Sequence, residues 1–431
     1  MTFKELSQYL EKLEKTSSRN EITSILSELF KKSSSQEIDK IVYLVLGTLA
    51  PSYQGIVLNI AERMMLRIIA QAYDEDINKV KALYKEKGDL GNVAEALATG
   101  AGGAISVVEV YLSLLEIANE AGAGSQEKKI SRMAKLLGEL TPLGARFVAR
   151  IPVGKPRLGF SDMTILDALS YLVKGDKSAR GEIETAFNVF VDIGVIAKIV
   201  KAKGLAGLEG IKPTAGIPIR PSLAERLPSA EKILDKLGPK VAVEPKMDGF
   251  RAQVHIYKEE GKKKVSIFSR NLENTTAMFP DLVEGVLKIN VKNAIFDGEA
   301  IGYNPKSDKY LPFQETVQRK RKHGIKEAVK SFPLKLFLFD VLYKDGKDLL
   351  NLPFSQRRKI LEDTVKGQGV VQIIRQDIVG SADVIRDLIK KYLSEGLEGA
   401  LIKKIDAPYK AGARGYHWVK YKKTTEEGVA D

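Results

Sequence analysis

Apolar residues in the first half of the chain recur every three or four positions. Leu6, Leu10 and Leu13 form one stripe, Ile22, Ile25, Leu26 and Leu29 a second, and Ile38, Ile41, Val42 and Val45 a third. Such spacing places each set on one face of an α-helix. The pattern continues through 107–121, 129–140, 161–172 and 181–200, with Ser161 before Asp162 and the pair Thr141-Pro142 as helix-start chemistry. Between 201 and 223 the composition changes to Gly-Leu-Ala-Gly-Leu-Glu-Gly and then to Pro213, Pro218 and Pro221, which marks the best domain boundary. Beyond it the apolar period falls to two: 252–257, 264–269, 294–303, 334–343, 370–374, 400–403 and 418–422 read as strands. Helical patterns at 355–365 and 381–395 lie between them. The chain is expected to be multidomain, with an all-α region over 1–210 and an α+β region over 211–423 whose sheets are mainly antiparallel.

Composition narrows the chemistry. The 431 residues suffice for more than one core, and 44% hydrophobic with 29% charged residues describes an ordinary soluble protein. No run approaches the roughly 18 apolar residues of a membrane span, and the first residues lack a signal-peptide core, so a cytoplasmic protein without a membrane partner is expected. With no cysteine, disulfides, thiolate catalysis and cysteine zinc sites are removed; three histidines, at 255, 323 and 417, leave little for a histidine metal cluster. Any metal must be held by oxygen. The formal charge of +13 points to a polyanionic partner, and the cations crowd two regions, one from Lys128 to Arg157 and one at Arg319-Lys320-Arg321-Lys322.

The candidate chemistry begins at Lys246-Met247-Asp248-Gly249-Phe250-Arg251, a K-x-D-G-x-R pattern. A lysine titrates near pH ~10.4, so a nucleophilic one at neutral pH needs roughly 4–5 kcal/mol in favour of its neutral form, from nearby cations or burial. Asp248 can orient the amine, Gly249 lets the backbone approach a ligand, and Arg251 offers a fork to a phosphate or ribose. Read alone, the pattern also suits an ordinary solvated turn.

Five further motifs follow in order: Phe268-Ser269-Arg270-Asn271-Leu272-Glu273, Phe296-Asp297-Gly298-Glu299-Ala300, Phe337-Leu338-Phe339-Asp340, Glu398-Gly399-Ala400-Leu401-Ile402-Lys403 and Trp418-Val419-Lys420-Tyr421-Lys422. Together with the lysine motif they resemble the ATP-dependent DNA ligases, of the archaeal and eukaryotic replicative type, over nearly all of the second half. The resemblance implies that Lys246 is the adenylated nucleophile and that Glu244 reads the adenine edge. Arg251 and Arg270 would hold ribose and phosphates, Phe339 would stack on adenine, and Arg414, Lys420 and Lys422 would contact phosphate oxygens. Glu299 would also contact ribose, and Glu299 with Glu398 would hold Mg²⁺, to which hard carboxylate oxygens are suited. Lys420 and Lys422, two apart on a strand, share a face. Without the resemblance, Phe337 or Phe339 could equally be core, Arg270 could cap a turn and Glu299 could follow a surface hairpin.

In such ligases a helical N-terminal domain grips nicked duplex DNA. Here Leu143-Gly144-Ala145-Arg146-Phe147-Val148-Ala149-Arg150 and Gly154-Lys155-Pro156-Arg157 resemble its contact region, making Arg146, Arg150, Lys155 and Arg157 the expected DNA contacts. The implied cofactors are ATP and Mg²⁺, the expected form is a monomer, and a sliding clamp is a further candidate partner. An oligonucleotide-binding barrel would follow Lys422 in the family; the chain ends at Asp431 after the tail 424–431, so slow self-adenylation and poor sealing are expected of it. A second departure is Ser222, where the family usually has methionine. The competing readings are an RNA ligase, an mRNA-capping nucleotidyltransferase, and a DNA-binding module with an inactive nucleotide fold.

Overall fold

The computed structural model describes residues 1–100, 104–307, 309–321, 323–367 and 369–422. The tail 424–431 and Lys322 lie outside the described residues. The chain divides into two compact units, one of Met1–Phe187 with Asp192–Ile211, the other of Asn188–Val191 with the chain from Lys212 onward.

The first unit is helical. Its opening helix, Phe3–Glu14, starts at Thr2 with a capping box closed by Glu5, and Val107–Asn119 starts the same way from Ser106 and Glu109. Thr141 accepts from the Gly144 amide at 3.1 Å while Pro142 occupies the first turn of Pro142–Arg150. The stretch 181–200 is two helices, Arg180–Val189 and Ile193–Lys203, because Asp192 leaves the helical backbone and caps the second through Val195. The stripes missed the helices Glu62–Ala72, Ile77–Lys87 and Leu90–Leu97, of which the second buries only Val80.

The second unit holds strands β1 (Leu223–Arg226), β2 (Val241–Pro245), β3 (Phe250–Glu259), β4 (Lys262–Phe268), β5 (Ala294–Gly302), β6 (Leu334–Lys344), β7 (Lys347–Asp348), β8 (Val371–Ile373), β9 (Asp377–Val379), β10 (Gly399–Lys404) and β11 (Arg414–Lys422). One sheet runs β1-β11-β10-β2-β9 and the other β4-β3-β5-β6-β7, with β8 beside β6. Pairing is antiparallel except for β1 with β11 and β6 with β8. The β3–β4 hairpin turns through Glu260 and Gly261, both at positive φ, the backbone a two-residue hairpin of matching twist requires.

β6 is buried on both faces. Phe337 and Phe339 join an apolar cluster with β2, β10, β11 and the helices Ala230–Leu237 and Ala382–Ser394; Leu336 and Leu338 join another with the helices Pro280–Leu287 and Phe354–Thr364. Strand β2 is buried at all five positions, so it carries no alternation to read.

Candidate active site

A cleft of about 390 Å³ lies in the second unit, lined by Lys246, Glu299, Phe339 and Lys420 among others. Lys246 follows directly on β2. Its amide donates to the Gly399 carbonyl at 2.9 Å and its carbonyl accepts from the Glu398 amide at 3.2 Å, so the lysine is fastened to the segment that carries Glu398. Its ammonium pairs with the Glu398 carboxylate, which Lys422 also reaches at 3.3 Å. Burial would raise the Glu398 carboxyl, but Lys246 and then Lys422 outweigh it and hold it below the usual range. Glu299, opposite Arg251 in the β3–β5 register, is pushed up to about 7 by burial against the pull of Arg251 and Lys246.

The rest of the lysine motif acts differently from its sequence reading. Asp248 does not orient the amine; its Oδ2 accepts from the Phe313 amide at 2.9 Å and anchors a segment of the cleft wall. Gly249 meets the backbone of β5, where an added Cβ would lie 2.2 Å from the Ala300 carbonyl oxygen. The Arg251 fork is already occupied: Nε donates to Asp297 Oδ1 at 3.0 Å, Nη2 to Asp297 Oδ2 at 2.5 Å and to Tyr409 at 3.2 Å, and Nη1 to the Ser222 carbonyl at 2.7 Å. Of the five guanidinium N–H groups, a single one is left for a ligand. Burial opposes the Arg251 charge, but Asp297 and Tyr409 hold it protonated. The unexpected Ser222 is buried within this network, its amide donating to Tyr409 at 3.0 Å and its Oγ 3.1 Å from His417 Nε2.

Glu244 is enclosed within the protein. It lines the cleft wall, but its carboxylate has no exposed surface: Lys403 Nζ is 2.7 Å away and Gln376 Nε2 donates at 2.9 Å. Its Oε2 meets Lys403 as an ion pair without accepting a hydrogen bond, while Oε1 accepts from Gln376. Lys403 is equally buried and lies 4.5 to 4.6 Å from the ring centroids of Phe339, Phe354 and Trp418. Phe339 is 6% exposed and lines the cleft; Phe337, also buried, meets Tyr310 edge to face. The motif pattern carried Lys403 only as its last position, and Tyr409, which closes the Arg251 network, had no signal at all.

Lys420, Arg414 and Arg270 line the cleft without an acidic partner among the described residues. The described residues contain no cluster of three or more side chains of metal-ligating type. Glu299 and Glu398 still fit Mg²⁺, which takes one or two carboxylates and completes its octahedron with phosphate oxygens and water.

In the helical unit, the four expected DNA contacts separate. Arg150 is buried, with bonds to Asp89 and Glu14 at 3.0 Å and to Asn92 at 3.1 Å. Arg146 is largely covered and paired with Glu14 and Glu95. Both guanidiniums are spent on helix packing. Lys155 and Arg157 are half exposed, paired with Glu62 at 2.7 Å and Asp89 at 3.0 Å, and Arg157 sits at φ +60°.

Two family models match different parts of the chain. The family model described as the ATP dependent DNA ligase domain matches residues 221–422, and the model described as the DNA ligase N terminus matches 2–170. A protein of Dictyoglomus turgidum named "Probable DNA ligase" is 45% identical over 432 residues, spanning 100% of this chain and 73% of its own. The chain belongs to the ATP-dependent DNA ligase family. The DNA ligase of Saccharolobus solfataricus is 42% identical, with 100% of this chain and 74% of its own covered. A solved structure titled "Pmar-Lig_PreS3" shares the fold at 18% identity, with a TM-score of 0.52 over 97% of this chain and 78% of its own. The ligase uses ATP and acts on nicked DNA, and among its described residues no helix is long and apolar enough to cross a membrane.

Proposed function

We propose that this ligase carries AMP on Lys246 and seals nicks in duplex DNA in three steps, as replication and repair require. The observation that carries the reading is the fastening of Lys246 to the Glu398 segment, which sets its ammonium against a carboxylate that Lys422 shares from the other side. Lys246 Nζ, once deprotonated, attacks the α-phosphorus of ATP; the P–N bond forms as the bond to the β-phosphate oxygen breaks and pyrophosphate leaves. The 5′-phosphate of the nick then takes AMP from the lysine, and the 3′-hydroxyl attacks that phosphate, closing the strand and releasing AMP. Positioning and charge neutralisation dominate such transfers.

In this scheme Phe339 stacks on adenine, with Glu244 and Lys403 as its buried support. Arg251 contributes one donor and a fixed positive charge, and Arg270, Arg414, Lys420 and Lys422 hold phosphate oxygens. Glu299, which also accepts from ribose, and Glu398 would hold Mg²⁺, which supplies charge neutralisation at the phosphates. The helical unit holds DNA through Lys155 and Arg157, whose exposed side chains suit phosphate contacts without sequence readout. Incubation with labelled ATP or labelled GTP tests the nucleophile: a protein–AMP adduct is expected from ATP only, and label persisting in Lys246→Ala would overturn the assignment.

A further inference from the structure

Four residues lie side by side across the five-stranded sheet. The registers place Glu244 opposite Leu401, Leu401 opposite Lys420, and Lys420 opposite Arg226 of β1. Directly opposed residues share a sheet face, and Glu244, Leu401 and Lys420 all line the cleft. Arg226 therefore continues the cleft floor one strand beyond Lys420, a step of ~4.8 Å. The alignment depends on an irregularity between Ala224 and Glu225, which shifts the β1–β11 register and brings Arg226 level with Lys420. Arg226 is exposed and has no acidic partner among the described residues. Its charge is felt at the cleft: Lys420 is held below the ordinary lysine range by burial first, then by Arg226, Lys422, Arg414 and Lys246. Of these cations only Lys246 and Lys422 share a carboxylate among the described residues, Glu398, so an entering polyanion relieves the repulsion among the rest.

The direction of the row supplies the ligand. Resting on the reading that Lys246 is the nucleophile, the α-phosphorus must lie within reach of the β2 end of the cleft, and attacking and leaving groups stand roughly in line. The leaving pyrophosphate then lies on the side of the α-phosphorus away from Lys246, and two cations unpaired among the described residues that could receive it, Lys420 and Arg226, stand across the sheet from β2 on β11 and β1. We propose that Arg226 is a binding residue for the β- and γ-phosphates of ATP and for the pyrophosphate released from them. No sequence motif marks it; only the register of β1 brings it to the cleft.

The test follows lysine adenylation and its reversal in the full chain. Arg226→Gln should raise the ATP concentration needed for half-maximal Lys246–AMP formation about 5- to 10-fold, and should raise by a similar factor the pyrophosphate concentration that discharges the pre-formed adduct. Arg226→Lys should restore most of both. Joining of a nick already carrying 5′-AMP involves no pyrophosphate and should match wild type. Unchanged ATP and pyrophosphate dependence, with Lys246 still labelled, would overturn the proposal while leaving the nucleophile in place; label surviving in Lys246→Ala would instead remove the reading beneath it. A loss confined to the pre-adenylated nick would make Arg226 a DNA contact and would equally overturn the proposal.

Discussion

Replacing Lys403 by methionine should destabilise the nucleotide-binding unit by about 3 kcal/mol, because it leaves the Glu244 carboxylate charged and buried. The two groups are 2.7 Å apart and neither side chain has exposed surface. Removing one partner of such a pair costs about 3–5 kcal/mol. The lower end applies here because Gln376 still donates to Glu244 at 2.9 Å and Arg358 stands 3.7 Å away. Methionine keeps the volume and the contact with three aromatic rings, so the loss isolates the charge. For a unit of this size, about 3 kcal/mol corresponds to roughly 6–12 °C in Tm. The chain's single tryptophan, Trp418, is buried in this unit and reports its unfolding directly. The decisive comparison is Lys403→Met with Lys403→Met/Glu244→Gln, in which the buried charge is gone from both sides. The double variant should recover at least half of the loss. A single variant costing under about 1 kcal/mol, or a double variant as unstable as the sum of the two singles, would refute the idea that these groups stabilise each other.

Two further outcomes follow from burial and charge. Lys155→Ala and Arg157→Ala should each weaken binding to nicked duplex across sequences and flatten the salt dependence by about one unit of slope, with unfolding unchanged in Lys155→Ala, whose partner Glu62 is half exposed; Arg150→Ala should instead cost about 3 kcal/mol of stability, since the buried Asp89 would keep only the half-exposed Arg157. A DNA titration at several salt concentrations, with thermal unfolding, separates these classes, and an Arg150→Ala protein of normal stability would refute the division. His255 is fully buried, its Nδ1 accepts from the Gly216 amide at 3.0 Å, and burial pushes it down to about 3. Its unfolded-state value is about 6.5, so the unfolded chain binds the extra proton first, and stability is present above pH 6.5 and lost as pH falls towards 3. The contribution approaches about 1.4 kcal/mol per pH unit, so His255→Phe should lose less stability than wild type between pH 7 and pH 5 in urea unfolding; equal losses would refute the assignment.

Periodicity made the architecture legible where elements have one wet and one dry face. The stripe Leu6, Leu10, Leu13 is a buried helix face; the polar–apolar alternation through 252–257 is the middle of β3, although there Gln253 and His255 are buried as well. It failed where that asymmetry is missing. β2 is dry on both sides, the helix Ile77–Lys87 is wet on nearly all of its surface, and β1 and β9 are too short to show a period. Asp192 shows a third limit, since a lone acidic residue inside a helical pattern reads as surface until its side chain is seen capping the next helix.

At the cleft, the motifs identified residue types in the right neighbourhood, but not which atoms each would be left to use. An arginine in a phosphate-binding pattern reads as an open fork; here Asp297, Tyr409 and Ser222 take four of the Arg251 donors. A glutamate beside the nucleophile reads as an exposed acceptor; here Glu244 is buried, with Gln376 donating to one oxygen and the Lys403 ammonium 2.7 Å from the other. Both acquired their partners from strands and loops distant in sequence, through contacts that local spacing does not encode. Arg226 is the converse case, a charge with no motif that the β1–β11 register carries to the cleft. Within the nucleotide-binding unit, Arg251 is satisfied by Asp297, whereas Arg226, Arg414 and Lys420 have no acidic partner among the described residues, so their charges are left for phosphate groups to meet.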